Sequence, residues 1–320
     1  PPHNITPDPP LLSLRNARPG EFYMRKKKIK EAFAGYFYIT PATVLLLVLV
    51  VLPIFMSLYL SLTKFNGFKT PEFIGLPNYK DMFADPVWRA SMKNTLVYVL
   101  ITVPVQTFLS LFFATILATY FRGRFSNFVR GVMFIPVLCA ATVAGQIFYY
   151  LFASDSESMM NLLMSVFGLG KVNWLGQSST ALPVICVVAI WKNVGYYLVI
   201  FYAGIMDVPC SLLEAARMDG ATPIQEFFHI VIPTIKPILY LVITLSTIWA
   251  FQAFDLIYVM THGGPGNATQ TPVLIVYNAA FATRRMGYAC AVACILGTLI
   301  LMITIVQRRA FSEKAGGDNG

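Results

Sequence analysis

The sequence predicts an all-α, polytopic membrane protein with six transmembrane helices, and three observations predict it. Of 320 residues, 57% are hydrophobic and only 12% are charged, and mean hydropathy is +0.64. Soluble domains carry about 25% charged and roughly 45–50% apolar residues. Six apolar runs lie at about 36–60, 95–118, 129–152, 182–206, 236–260 and 286–306. Each is long enough, at about 1.5 Å per residue, to cross a hydrocarbon core of about 30 Å. Lysine and arginine also segregate between alternate connecting segments, as orientation in a bilayer demands. A disordered chain, a disulfide-stapled secreted module and a nucleic-acid reader all fit this composition poorly. The formal charge of +9 therefore reports topology rather than an acidic partner.

Taken in chain order, residues 1–35 read as a cytoplasmic tail. Residues 1–20 hold six prolines and no apolar periodicity, which argues against a packed element. The first span is too long, and begins too late, for a cleavable signal peptide. Residues 36–306 form the transmembrane domain, and 307–320 a second cytoplasmic tail. Fifteen lysines and arginines fall in the two tails and the connections between spans 2 and 3 and spans 4 and 5. Eight fall on the other side, five of them (Lys64, Lys69, Lys80, Arg89 and Lys93) in the first outer loop. The positive-inside rule then places both termini in the cytoplasm. Pro53, Pro104 and Pro136 lie inside spans and predict kinks that neighbouring helices accommodate.

Catalytic motifs are missing from the sequence. Around Gly170-Lys171, Ser165 stands where a P-loop needs glycine and Val172 where it needs a hydroxyl, so the chain offers no cradle for nucleotide phosphates. His3, His229 and His262 are scattered, and no HExxH or GxSxG occurs. Cys139, Cys186, Cys290 and Cys294 sit in apolar runs and Cys210 stands alone, a pattern of small buried side chains rather than a metal site. No metal, no cofactor and no catalytic residue is expected in this chain.

The polar stretch 207–235 (DVPCSLLEAARMDGATPIQEFFHIVIPTI) is densely patterned. Ser211 and Glu214 have capping-box spacing, and Leu212–Asp219 is predicted as two helical turns. Gly220 suits the left-handed position that stops a helix. Thr222, Pro223 and Gln225 then start a second short helix, and Pro233 and Pro237 lead into span 5. Leu212, Leu213 and Ala216 give the first helix an apolar side too small to fold alone. It docks either on its own bundle or on a cytoplasmic partner.

Glu214-Ala215-Ala216, Asp219-Gly220-Ala221, Phe228, Ile230 and Ile232-Pro233 resemble the EAA loop of ABC-importer permeases. FIGLPNYKDMFADPVWRASMKNT (73–95) and WAFQAFDLIYVMTHGGPGNAT (249–269) resemble segments of the carbohydrate branch. That branch includes the maltose and glycerol-phosphate permeases, and the likeness is to the first of their two permease subunits. The resemblance implies the type I permease fold in a bacterial or archaeal cytoplasmic membrane. It implies that Glu214, Ala215, Ala216, Asp219 and Gly220 belong to a coupling helix seated in an ATP-binding subunit. Two copies of that subunit would bind ATP and magnesium, one docking on residues 211–233 here. It further implies a second homologous permease and an extracytoplasmic substrate-binding protein at the outer loops 61–94 and 261–285.

Polar residues inside the spans suggest where substrate passes. Lys192 lies mid-span, where insertion costs about 2.5–3.5 kcal/mol, and Asp255 lies in span 5. The two either pair with each other or face a water-filled path. Asn193 and Tyr196 flank Lys192, while Trp249, Gln252 and Asp255 recur at three-residue spacing on one helix face. Aromatic faces with amide and carboxylate groups suit a sugar better than an ion. The rival is an ion-coupled secondary transporter in which Lys192 and Asp255 form the relay. A membrane-embedded enzyme lacks a nucleophile and base at any recognisable spacing.

Overall fold

The computed structural model describes residues 36–121, 123–153 and 158–313. The expected tail at 1–35 and residues 314–320 lie outside the described residues. The chain forms two units, one ending at Ser57 and one beginning at Leu58.

The first unit holds most of the apolar helix α1 (Tyr36–Ser61). A π turn over Leu47–Val51 precedes Pro53, whose ring cannot continue a regular hydrogen-bond ladder.

In the second unit, the connection after α1 is folded rather than open. Two short antiparallel strands, β1 (Thr63–Lys64) and β2 (Glu72–Phe73), are followed by α2 (Pro77–Ala84). The Asn78 amide donates to the carbonyls of Ser61 and Thr63 at 2.8 and 2.9 Å. The second span is longer than expected, because α3 runs over Pro86–Tyr120. Its start is set by Asp85, whose carboxylate accepts from the Val87 amide at 2.8 Å, and by Pro86 at the first helical position. Pro104 lies within α3 without ending it.

The expected third span, 129–152, is two helices. α4 (Arg124–Leu138) and α5 (Ala141–Leu151) meet at 91°. Pro136 removes a donor from the last turn of α4, and Cys139 and Ala140 then turn the chain with ψ of 131° and 138°. A short helix α6 (Met159–Val166) follows, then the fourth span, α7 (Ala181–Met206). The stretch 207–235 supplies α8 (Cys210–Met218), α9 (Pro223–Glu226), a π turn over Phe227–Val231 and α10 (Ile232–Thr234). The fifth span is interrupted: α11 (Lys236–Phe251) stops at Gln252, and α12 (Asp255–Met260) resumes after Phe254. α13 (Pro272–Tyr277), a π turn over Asn278–Ala282 and the last span, α14 (Met286–Glu313), complete the unit. Among the described residues five helices are long and apolar enough to cross a membrane, or six when α4 and α5 count as one span.

The core of this unit lies in three clusters. One joins α3, α5, α7, α12 and α13 through Tyr98, Phe152, Ile185, Ile257 and Leu274. The second joins α3, α7 and α11 to the 207–235 stretch through Leu117, Phe201, Val231, Ile235 and Val242. The third ties α2 and the start of α3 to α13 and α14 through Met82, Trp88, Ile275 and Val292. Arg285 pairs with Asp81 at 3.1 Å, and the Tyr288 hydroxyl donates to Asp85 at 3.1 Å. The Asn94 amide donates to the Asn267 carbonyl at 2.7 Å. The two segments 61–94 and 261–285 are therefore bonded into one body.

Candidate functional site

In the 207–235 stretch the sequence acts almost entirely on near neighbours. α8 begins at Cys210, two residues earlier than a Ser211 cap would allow, with Pro209 at the cap position. The predicted Ser211–Glu214 capping box is therefore not formed: Ser211 already lies in the first turn, where its backbone is helical. Gly220 does hold the left-handed conformation, at φ +82°. Its amide donates to the Arg217 carbonyl at 3.1 Å, and that of Ala221 to the Ala216 carbonyl at 2.9 Å. This pair of bonds is a Schellman close, satisfying two carbonyls that the helix end leaves over. The second capping box forms as predicted. Thr222 Oγ1 accepts from the Gln225 amide at 3.4 Å, and Gln225 Oε1 accepts from the Thr222 amide at 2.8 Å.

Sequence reasoning missed the clamp across this turn. Arg217 Nε and Nη2 donate to Glu226 Oε1 and Oε2 at 2.9 and 3.0 Å. The bond joins α8 to α9, and Glu226 is only 7% exposed. Bidentate geometry fixes the orientation of both planes. These hydrogen bonds hold the Glu226 carboxyl below the usual carboxylate range and raise the Arg217 guanidinium further. A groove of about 350 Å³ lies beside the turn, lined by Ala216, Asp219, Gly220, Gln225, Glu226 and His229.

One side of the stretch packs on its own bundle. Leu213, Phe227 and Ile230 lie against the second core cluster. The other side stays open: Glu214 and Ala215 are exposed, and so are Leu212, Met218, Ile224 and Phe228, with Met218 88% exposed. Four large apolar side chains on so short a segment form a patch of the kind that marks an interaction surface.

The intramembrane residues fall into three places. Tyr196 and Trp249 come together, with ring centroids 5.2 Å apart, and Tyr197 lies 6.1 Å from Trp249. Asn193 and Trp249 line a cavity of about 30 Å³ between α3, α7 and α11. Gln252 and Asp255 stand apart, exposed at the two edges of the break between α11 and α12.

Lys192 is in the third place, and its partners differ from the expected carboxylate. Its Nζ donates to the carbonyls of Cys139, Val137 and Pro136 at 2.7, 3.3 and 3.4 Å. No Lys192–Asp255 ion pair forms among the described residues. The reason lies in the broken third span. The last carbonyls of α4 have no following helical amides, and they concentrate the negative end of the helix dipole. A cation satisfies both. Close approach makes this possible, because α4 crosses α7 at Gly195, where a Cβ would collide with the Met133 carbonyl. Arg130 adds a second tie, its guanidinium 3.8 Å from the Tyr202 ring centroid.

Residues 106–311 match the family described as the inner membrane component of binding-protein-dependent transport systems. The probable ABC transporter permease YurN of Bacillus subtilis is 35% identical, over 86% of this chain and 95% of that protein. The trehalose/maltose permease MalF of Thermococcus litoralis is 32% identical, over 88% and 94%. The arabinooligosaccharide permease AraP of B. subtilis is 30% identical, over 92% of each. The fold is that of a bacterial ABC transporter importing alginate, with a TM-score of 0.79, 20% identity, and coverage of 91% of this chain and 99% of that one. A bacterial alginate ABC transporter in complex with an alginate pentasaccharide-bound periplasmic protein gives 0.77 at 19% identity, covering 88% and 94%. The chain thus belongs to the multi-pass membrane permeases of binding-protein-dependent ABC importers and has their type I fold.

Proposed function

We propose that this chain forms half of the translocation path of an ATP-driven importer for a carbohydrate, working with a second homologous permease. The single observation that carries the coupling half of this reading is the construction of 207–235. Two short helices closed by Gly220 and clamped by Arg217–Glu226 present Leu212, Met218, Ile224 and Phe228 outward. An isolated four-turn segment has no stability of its own, yet here hydrogen bonds make it a stiff, exposed knob. It suits a cleft in an ATP-binding subunit, of which the importer would hold two copies. Glu214, Ala215, Ala216, Asp219 and Gly220 form its tip.

ATP and magnesium would be held by those partners, and this subunit performs transport without catalysis. Closure of the partners pushes the knob, and the knob passes the motion to α7 and α11 through Leu213, Phe227 and Ile230. Both termini face the cytoplasm, and the bonded outer segments 61–94 and 261–285 meet the substrate-binding protein. A carbohydrate is favoured by relatives whose names specify trehalose/maltose, arabinooligosaccharides and sn-glycerol-3-phosphate. It is also favoured by the pairing of Tyr196 with Trp249 beside Asn193. Gln252 and Asp255 lie further along the same proposed path. The ion-coupled alternative has no support, since its Lys192–Asp255 relay does not form and the relatives are ABC permeases.

The test is Gly220→Val in the assembled importer. A β-branched residue is strained at φ +82° by roughly 1–2 kcal/mol and loses the Schellman close. ATPase activity should persist while binding-protein-dependent sugar uptake falls at least tenfold, with membrane insertion normal. Uptake at the wild-type ratio to ATP hydrolysis would refute the stiff-knob mechanism. Purification without any ATP-binding subunit would refute the importer assignment itself.

A further inference from the structure

The cavity between α3, α7 and α11 holds two polar atoms that no protein group satisfies. Gln106 is 3% exposed and Tyr197 wholly buried. Gln106 Oε1 and the Tyr197 hydroxyl have no hydrogen-bond partner among the described residues. Both residues line the same cavity of about 30 Å³. Burying an unpaired polar group costs about 1–3 kcal/mol, and the cost is no smaller where lipid surrounds the bundle.

Two further groups face this space. Thr102 and Ser246 commit their hydroxyl hydrogens to the carbonyls of Tyr98 and Ile243, at 2.7 and 3.0 Å. Each keeps oxygen lone pairs for another donor. The cavity therefore offers a carbonyl acceptor, a phenol that donates, and two hydroxyl acceptors, supplied by three different helices. A water needs about 10–15 Å³ and two to four polar partners, and the space and its lining supply both.

We infer that this cavity is an internal hydration site, in which a bound water accepts from Tyr197 and donates to Gln106 and to Thr102 or Ser246. The water ties α3, α7 and α11 together directly behind Trp249. The argument needs neither a substrate identity nor the path reading.

X-ray hydroxyl-radical footprinting of the intact importer in nanodiscs tests it, because radiolysis of a bound water labels the side chains touching it. Phe201 is the control: it is on the same helix one turn further on, equally buried, and does not line the cavity. Tyr197 should be oxidised at least tenfold faster than Phe201. Equal rates for the two would overturn the inference. In Gln106→Leu, whose methyl groups fill the space, Tyr197 labelling should fall to the Phe201 level. Labelling that persists would mean bulk water reaches Tyr197 by another route, and would also overturn it. Thermal unfolding gives a second measurement. Gln106→Leu and Tyr197→Phe should each lower Tm, and the double variant should lose less than the sum, because one water serves both. Strict additivity would count against a shared water.

Discussion

The 207–235 segment and the midplane of the bundle are held by opposite kinds of contact. In 207–235 the bonds that set the shape join residues close in sequence, Thr222 to Gln225 and Arg217 to Glu226. At the midplane the equivalent bonds are long-range. Lys192 reaches Cys139, and the Ser110 hydroxyl donates to the Val194 carbonyl at 2.8 Å. The difference separates two mechanical roles. A segment whose bonds are internal keeps its shape while it moves. A region whose bonds run between helices changes its bonding whenever the helices shift. In the mechanism we propose, force enters through the first and is converted to a new arrangement in the second.

Variants at the midplane should break long-range contacts and cost the most. Gly195→Leu drives a side chain into the Met133 backbone, and overpacking of this kind costs at least about 1–3 kcal/mol. The purified complex should show a large fall in Tm or fail to assemble, whereas the same change at exposed Gly297, which has open space around it, should be tolerated.

Lys192→Met comes next. It removes the charged donor from the half-buried carbonyls ending α4, where hydrogen bonds to a charged group are worth about 1.5–3 kcal/mol. Lys192→Arg should restore most of the stability, and Asp255→Asn should change nothing. A double variant of Lys192→Met and Asp255→Asn more stable than Lys192→Met alone would restore the ion pair that the structure rejects.

Local variants should cost less and leave the bundle intact. Thr222→Ala removes one cap, worth about 1 kcal/mol, and should weaken binding of the proposed ATP-binding partner without lowering the Tm of the spans. Smallest is the acid sensitivity of the clamp. Glu226 is held below its ordinary pKa by Arg217, so the stabilisation is complete above the unfolded glutamate value of about 4.3. It disappears as pH falls through the lower folded value. The Tm of Glu226→Gln should therefore lose the wild type's dependence on pH below about 4.3, while lying slightly below the wild-type Tm at neutral pH.

The same division explains what could be read in advance. Gly220 at a left-handed close and Thr222 with Gln225 as a capping box were legible because each depends on three or four consecutive residues. The Ser211 box is equally local and still does not form, since Pro209 takes the cap position two residues earlier. Lys192 is recognisable as costly in a span, but sequence spacing leaves its partner open, and the bend of the third span brings the carbonyls ending α4 to it. Gln106 had a signal that went unused: Tyr98, Thr102 and Gln106 recur every four residues along one face of α3.

By itself the sequence determined the class of protein, the number and order of its apolar runs, and the Thr222 cap and Gly220 turn of the 207–235 segment. Hydropathy and short-range hydrogen bonding are properties of neighbouring residues, so the chain carries them openly. Only the tertiary structure decided that the third span breaks at 91°, that Lys192 closes the end of α4, and that Gln106 and Tyr197 share one cavity. Those outcomes depend on which helix faces lie against one another. Close crossings such as that at Gly195 settle this, bringing together groups more than fifty residues apart.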